Sequence, residues 1–204
     1  MKKHIDDLNE IRSMMERSSR FISLSGLSGI FPGIFALIGA FFAYQRVSEN
    51  DGSAYLNLSS NTDLLAYLVK DGLLVLFFSL IFAFYFTARQ AKKQGVSLWG
   101  STSKRLLFNM ALPLVTGGLF CIILLMQAPH LVDAATLVFY GLAVINASKY
   151  TFDDIRYLGY VEVILGLLCG FMDEWRLGIL FWALGFGVAH IVYGIVMYKK
   201  YDSR

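Results

Sequence analysis

Residues 157–171 read YLGYVEVILGLLCGF, an apolar run that contains a single carboxylate, Glu162. Runs of this kind recur along a chain of 204 residues, of which 56% are hydrophobic and only 16% are charged. Soluble domains carry about 25% charged residues, so this chain has too few polar side chains to cover a globule in water. Lipid must replace water over much of its surface, and helices satisfy their own backbone groups there. We therefore expect an all-α, polytopic membrane protein whose first partner is the lipid bilayer.

Six apolar stretches are candidates for membrane spans, because a helix needs about 20 residues to cross the hydrocarbon core. They lie approximately at 21–44, 73–88, 106–126, 131–148, 157–171 and 177–198. Together they predict one transmembrane domain at 21–198, a six-helix bundle followed by a short tail at 199–204. Residues 1–20 differ, because their apolar side chains fall on one side of a helix. We expect them to form an amphipathic helix on the membrane surface.

The basic residues predict the orientation of this bundle. All Lys and Arg residues except Arg46, Lys70 and Arg176 fall in segments that six spans would place on the same side. These segments are 1–20, 89–105, 149–156 and 199–204. By the positive-inside rule that side is the cytoplasm, which puts both termini there.

The same pattern predicts the location of the protein and excludes one class of partner. We expect a multi-pass protein of the cell membrane, of the type found in bacterial inner membranes. The net charge of +3 then reflects topology, and no basic motif with interleaved aromatic residues indicates a nucleic-acid partner.

Glycines occur in the apolar stretches at spacings that let two helices approach closely. They form GxxxG pairs or stand seven residues apart, at Gly29, Gly33, Gly159, Gly166, Gly170, Gly178, Gly185, Gly187 and Gly194. We predict that these glycines pack helix against helix. Glycine falls in nearly every turn of 157–171, which predicts a central helix surrounded by protein.

Two local signals concern where helices begin. Thr151 and Asp154 have the spacing of a capping box, which predicts that a helix starts with Thr151 as its cap. The charged segment 70–72 interrupts an apolar run. It predicts that the second span begins at Leu73, with 64–69 as an outer extension or a separate surface helix.

Glu162 needs a partner, because an ionisable group within the hydrocarbon costs about 2.5–3.5 kcal/mol on insertion scales. The predicted partner is His190, the histidine similarly placed in the next span. Counted inward from Arg156 and Lys199 at about 1.5 Å per residue, Glu162 lies roughly 9 Å and His190 roughly 13 Å from the same surface. Because a tight turn joins the two spans, we expect both side chains at similar depth on neighbouring antiparallel helices.

Three other polar residues are candidates for the same site. Tyr193 follows His190 by three residues and therefore shares its helix face. Asn109 and Asn146 lie about one turn inside the same surface, on the third and fourth spans. Together with the pair, they predict a polar cavity that opens to the cytoplasm.

The Glu162–His190 pair has three alternative roles. The first is an interhelical hydrogen bond that fixes packing, and the second is a binding or proton-coupling site, because histidine titrates near neutral pH. The third is a metal or catalytic site. Zinc usually takes three or four ligands, only two candidates lie at this depth, and Cys121 and Cys169 have no metal-type spacing. We therefore predict no metal ligand, no cofactor and no catalytic residue.

The sequence thus favours a non-enzymatic membrane protein whose cavity binds or passes a small solute or a proton. A second hypothesis is a membrane-anchored regulatory or scaffold protein, with 1–20 and 89–105 binding a cytosolic protein partner. A third is a membrane-embedded enzyme that uses Glu162 and His190. The sequence allows an oligomer in all three cases.

Overall fold

The computed structural model describes residues 24–50, 58, 61–172 and 175–202. In these ranges every regular element is helical and there is no strand. The first five helices, numbered in chain order, are α1 (Leu27–Glu49), α2 (Thr62–Gln94), α3 (Ser101–Gln127), α4 (Val132–Ala147) and α5 (Ile155–Phe171). Short 3-10 turns at Pro129–Leu131 and Ser148–Tyr150 flank α4. The surface helix predicted at 1–20 lies outside the described residues.

The C-terminal helix, our name for 175–202, consists of four consecutive segments. They are α6 (Trp175–Trp182), a π-helical segment (Ala183–Ala189), α7 (His190–Met197) and a second π-helical segment (Tyr198–Asp202). Single π-helical turns are rare and frequently occur at functional sites. The first of these two segments ends directly before His190, one of the predicted site residues.

Five segments of the described chain are long and apolar enough to cross a membrane. They are Leu27–Glu49, Thr62–Gln94, Ser101–Gln127, Pro129–Tyr150 and Leu177–Asp202. The helix α5 is not one of these five segments. It has 17 residues and is about 26 Å long at a rise of 1.5 Å per residue, which is slightly shorter than a hydrocarbon core of about 30 Å. The described chain is therefore an all-α, multi-pass membrane protein.

The helix α2 is longer than the second predicted span. It runs for 33 residues without a break at 70–72, so 64–69 is part of the same helix, as the outer-extension alternative predicted, and is not a separate surface helix. At about 1.5 Å per residue it is about 50 Å long, which exceeds the hydrocarbon core. The charged residues at 70–72 are accommodated because the helix extends beyond the apolar layer.

The helix α5 begins later than the capping-box spacing predicted. Its first residue is Ile155, and the side chain of Asp154 makes no capping hydrogen bond. Instead, the carboxylate of Asp154 accepts hydrogen bonds from Lys200 Nζ at 2.7 Å and from Tyr201 OH at 2.9 Å. The predicted cap was therefore wrong, because contacts distant in sequence occupy the carboxylate.

Glycines bring α4 and α5 into close contact. A Cβ added to Gly141 would stand 2.7 Å from the carbonyl oxygen of Gly159, and one added to Gly159 would stand 2.8 Å from that of Gly141. A Cβ at Gly166 would be 2.9 Å from the carbonyl oxygen of Ala134. Any larger side chain at these positions would push the two backbones apart.

A second glycine contact joins α1 to the C-terminal helix. A Cβ at Gly33 would stand 2.7 Å from Gly187 O, and one at Gly29 would stand 3.3 Å from Gly194 Cα. Gly194 in turn approaches Gly26 O, at 2.7 Å from its own added Cβ. Small residues at matching heights therefore let α1 lie directly on the C-terminal helix.

The predicted central position of α5 was wrong. Its glycines line one face, against α4, whereas Tyr157, Ile164, Leu167 and Phe171 are exposed on the remainder. Gly170 is also exposed, and an added Cβ there would make only ordinary contact with Ala134 at 3.6 Å. The glycine spacing defines a single packing face and does not determine how many neighbours the helix has.

The remaining two helices flank this core. The helix α2 packs on α1, where Phe31 and Phe35 meet Phe78, Phe82 and Phe86 with ring centroids 4.8–5.8 Å apart. The helix α3 packs mainly on α4. The core that positions the candidate site thus consists of α1, α4, α5 and the C-terminal helix.

Candidate functional site

Glu162 and His190 are in contact inside this core. The side chain of Glu162 is fully buried and His190 is 5% exposed. His190 Nδ1 lies 3.2 Å from Glu162 Oε1. Gly185, in the π-helical segment, makes room for the carboxylate, because a Cβ at that position would stand 2.5 Å from Glu162 Oε2. The structure thus brings together the two residues that the sequence singled out.

The two ring nitrogens of His190 have different partners. Nδ1 is 3.0 Å from the carbonyl oxygen of Gly185, and Nε2 is 2.8 Å from the hydroxyl of Tyr140 on α4. A carbonyl oxygen can only accept, so Nδ1 carries the hydrogen in this contact. In the neutral ring Nε2 then accepts from Tyr140, which gives a directed chain from Tyr140 through His190 to Gly185.

The carboxylate of Glu162 has no such partner. Among the described residues, neither of its oxygens receives a hydrogen bond. His190 Nδ1 approaches Oε1 to 3.2 Å, but the hydrogen on that nitrogen points to Gly185 O. Buried polar groups in native structures are usually hydrogen-bonded, so Glu162 is an exception that needs an explanation.

Apolar and aromatic side chains enclose this cluster. Phe186 stacks on His190 with ring centroids 5.9 Å apart and lies 5.1 Å from the Tyr140 ring. Trp182 packs on Phe186 at 5.0 Å, and Leu137 is fully buried beside Gly185. Such an enclosure excludes water and strengthens electrostatic interactions inside it.

The Glu162–His190 pair can hold one proton in either of two arrangements. Its neutral form has a carboxylic acid and a neutral imidazole, whereas its ion-paired form has a carboxylate and an imidazolium. Adding a proton at Nε2 requires only that the Tyr140 hydroxyl turn from donor to acceptor.

The other predicted site residues are placed differently. The hydroxyl of Tyr193 is buried and has no hydrogen-bond partner among the residues described. Asn109 donates to the carbonyl oxygen of Arg105 in its own helix at 2.8 Å. Asn146 accepts from Lys149 Nζ at 3.0 Å. The asparagine side chains therefore make their hydrogen bonds away from Glu162.

Tyr140 was missed in the sequence analysis. It lies in the run LVFYGLAV (137–144), where a tyrosine is unremarkable for a membrane helix. Two signals were available. The hydroxyl of a buried tyrosine needs a hydrogen-bond partner, and the adjacent Gly141 marks a close helix contact.

The described residues do not assemble a larger ligand set. Within the ranges given above, no three His, Cys, Asp or Glu side chains come together as metal ligands. Cys121 and Cys169 are free thiols, half-buried and buried respectively.

A second polar cluster lies where α1 begins and α2 ends. Asp202 Oδ2 accepts from Ser25 Oγ and from the backbone N–H of Gly26, both at 2.8 Å, while its Oδ1 accepts from Gln90 Nε2 at 3.2 Å. Asp154, before α5, is held by Lys200 and Tyr201. The last turn of the C-terminal helix thus joins the ends of several helices at one end of the bundle.

Comparison with protein-family models, with curated proteins and with solved structures finds no match. The functional argument therefore rests on the geometry of the site.

Proposed function

We propose that this chain is a non-enzymatic protein of the cell membrane that binds or passes a small solute together with a proton. In this proposal the Glu162–His190 pair holds the proton, with Tyr140 as its hydrogen-bonding neighbour. The supporting observation is that Glu162 is fully buried against an imidazole, while neither of its oxygens has a hydrogen-bond donor among the described residues.

A role in packing alone explains this geometry less well. A side chain that only joins two helices gains from an aligned hydrogen bond, whereas a buried acceptor left without a donor costs about 1–3 kcal/mol, and more if charged. Groups held in such an environment are typical of functional sites. A function that depends on the protonation state of Glu162 explains why the chain retains this unfavourable burial.

The proposal includes six membrane spans with both termini in the cytoplasm. The helix α5 is the short span that is added to the five long apolar segments. What supports this topology is that the start of α1, the end of α2 and the C-terminal helix meet at one end through Asp202. The basic residues that follow α2 and end the C-terminal helix lie at this end. Glu162 is seven residues into α5, which puts it about 10 Å from that surface.

The proposal is tested by infrared difference spectroscopy of the protein in nanodiscs between about pH 5 and pH 8, the range in which histidine titrates. We expect a carboxyl band that changes with pH and is lost in Glu162→Gln. Glu49→Gln, the same substitution at an exposed carboxylate, should leave that band unchanged. A wild-type spectrum without the band, or a band that survives in Glu162→Gln, would contradict the proposal.

The two other hypotheses from the sequence stay predictions. A cytosolic partner would bind at 89–105 and at 1–20, of which the latter lies outside the described residues. An enzyme that used Glu162 and His190 with a metal would need a third ligand, which the described ranges do not bring to the pair.

A further inference from the structure

Tyr193 is a buried polar residue to which the proposed function does not yet give a role. It stands on the C-terminal helix three residues after His190, and therefore about one turn nearer to Asp202. Its hydroxyl is buried and, within the described ranges, has no hydrogen-bond partner. Since most buried hydroxyls are paired, this one needs an explanation as much as Glu162 does.

The titratable groups around Tyr193 come from both polar clusters. Along the C-terminal helix it stands between His190, whose ring contacts Tyr140, and Tyr201, which donates to Asp154. Tyr140 belongs to the buried cluster, because its hydroxyl contacts His190. Asp154 and Tyr201 belong to the other cluster, where their hydrogen bond is 2.9 Å long. The helix α1, which packs on the same helix, has no titratable side chain between Leu27 and Ala43.

Asp154 is the residue through which water can reach the titratable groups around Tyr193. Its side chain is 29% exposed and accepts from Lys200 and Tyr201. Phe152 packs on the Tyr201 ring with centroids 4.1 Å apart. The carboxylate therefore faces solvent on one side and the phenol groups of the bundle on the other.

We propose that Tyr193 is a relay residue that passes protons between Asp154, at the exposed end of the bundle, and the buried cluster of Tyr140, His190 and Glu162. This inference rests on the proposed function, because a relay needs a buried pair that exchanges protons. The inference adds to that function the route of the proton and the residue that limits the rate of proton transfer.

The proton balance of one inward transfer is simple. A proton taken from water makes the Asp154 carboxyl neutral, and that O–H donates to the oxygen of Tyr193. Tyr193 passes its own proton to Tyr140, which passes its proton to His190 Nε2. His190 Nδ1 then passes its proton to Glu162 Oε1, which lies 3.2 Å away. Both tyrosines end as neutral phenols, Asp154 is again a carboxylate, His190 is again a neutral ring, and Glu162 has become a carboxylic acid.

The transfer from Asp154 to Tyr193 and the transfer from Tyr193 to Tyr140 both lack a direct hydrogen bond within the described structure. The Tyr193 hydroxyl must therefore turn, or a water molecule must enter beside it, for each transfer. This makes Tyr193 the slow step of the route, and the absence of a fixed partner leaves its hydroxyl free to face either cluster in turn.

The test is a pH jump on the full chain in nanodiscs, followed by time-resolved infrared spectroscopy of the Glu162 carboxyl band. In Tyr193→Phe we expect the equilibrium midpoint of the band to stay unchanged, while the rate of proton uptake falls about tenfold or more, the effect of roughly 1.4 kcal/mol in the barrier. Tyr160→Phe is the matched control, since Tyr160 is exposed on α5, and its rate should equal that of the wild type.

A second variant tests whether the two residues share one route. Asp154→Asn should also slow uptake, and the double variant should be no slower than the slower single variant. An unchanged rate in Tyr193→Phe, or slowing that multiplies in the double variant, would overturn the relay while leaving the proposed function intact. The absence of any pH-dependent Glu162 band in the wild type would overturn both.

Discussion

The carboxylates of the two polar clusters differ in the number of hydrogen bonds that they accept. At the exposed end, Asp202 accepts three hydrogen bonds, two from Ser25 and Gly26 before α1 and one from Gln90 of α2, and Asp154 accepts two. In the core, Glu162 accepts none among the described residues although it is completely buried. Asp154 and Asp202 are thus held by hydrogen bonds from other parts of the chain, whereas Glu162 has the His190 ring beside it at 3.2 Å. The difference separates carboxylates whose hydrogen bonds join helices from a buried carboxyl group that has no donor among the described residues.

Removing the imidazole should break the buried cluster and have the largest effect. His190→Ala leaves the Glu162 carboxyl group buried without its imidazole neighbour, and loss of one partner of a buried pair typically costs about 3–5 kcal/mol, so we expect about that decrease in the free energy of unfolding. In a Glu162→Gln background the same substitution should cost clearly less, because no charge is left behind. Titration with SDS in mixed micelles measures the four free energies, and equal costs in both backgrounds would show that the pair is not coupled.

Filling the space beside the carboxylate should have an intermediate effect. An alanine at Gly185 would place its Cβ 2.5 Å from Glu162 Oε2 and 2.6 Å from Leu137 Cδ2. Overpacking of this kind costs about 1–3 kcal/mol, and it should also shift the infrared band of the displaced carboxyl group. Gly118→Ala is the matched control, because nothing lies within 4 Å of a Cβ there. Equal stability of the two variants would contradict the close contact at Gly185.

The exposed cluster should respond least, and through pH. The hydrogen bond from Lys200, followed by that from Tyr201, holds the pKa of Asp154 below its ordinary value. Because the folded pKa is the lower one, the stabilising contribution of Asp154 is present above about pH 4 and is lost as the pH falls through the lowered pKa. In Lys200→Met this pKa should rise toward the ordinary value.

A carboxyl carbon NMR titration of Asp154 measures that change directly. The difference in thermal unfolding midpoint between about pH 3 and pH 7 should also be smaller in Lys200→Met than in the wild type. Lys92→Met, at an exposed lysine near the end of α2, serves as the control. If the Asp154 titration is the same in both variants, Lys200 does not set its charge.

Composition and spacing were sufficient for the coarse structure. The shortage of charged residues predicted an all-α membrane protein, and an unpaired glutamate followed by a histidine in the next apolar run predicted their contact. Both inferences hold because lipid restricts a chain to helices and a tight turn makes successive helices neighbours. The GxxxG pair at Gly29 and Gly33 likewise indicated a packing face, although its partners Gly187 and Gly194 lie far along the chain.

Features that depend on distant contacts could not be predicted in this way. The role of Tyr140 depends on which face of α4 turns toward His190, and its sequence neighbours do not fix that face. The capping-box pattern at Thr151 and Asp154 failed because Lys200 and Tyr201 occupy the carboxylate. The π-helical segment at Ala183–Ala189 contains Gly185 and Gly187, but glycines also occur within the regular α-helices of this chain, so they did not indicate the segment that brings Gly185 against Glu162.

The contact between Asp202 and the start of α1 has a consequence for biosynthesis. The backbone N–H of Gly26 donates to a carboxylate that lies 176 residues later in the chain. A ribosome adds these residues in order, at roughly 5–20 per second, so the acceptor for α1 does not exist until all the other described helices have been synthesised. The first of the described helices to be made can thus receive this hydrogen bond only after the last of them has been made.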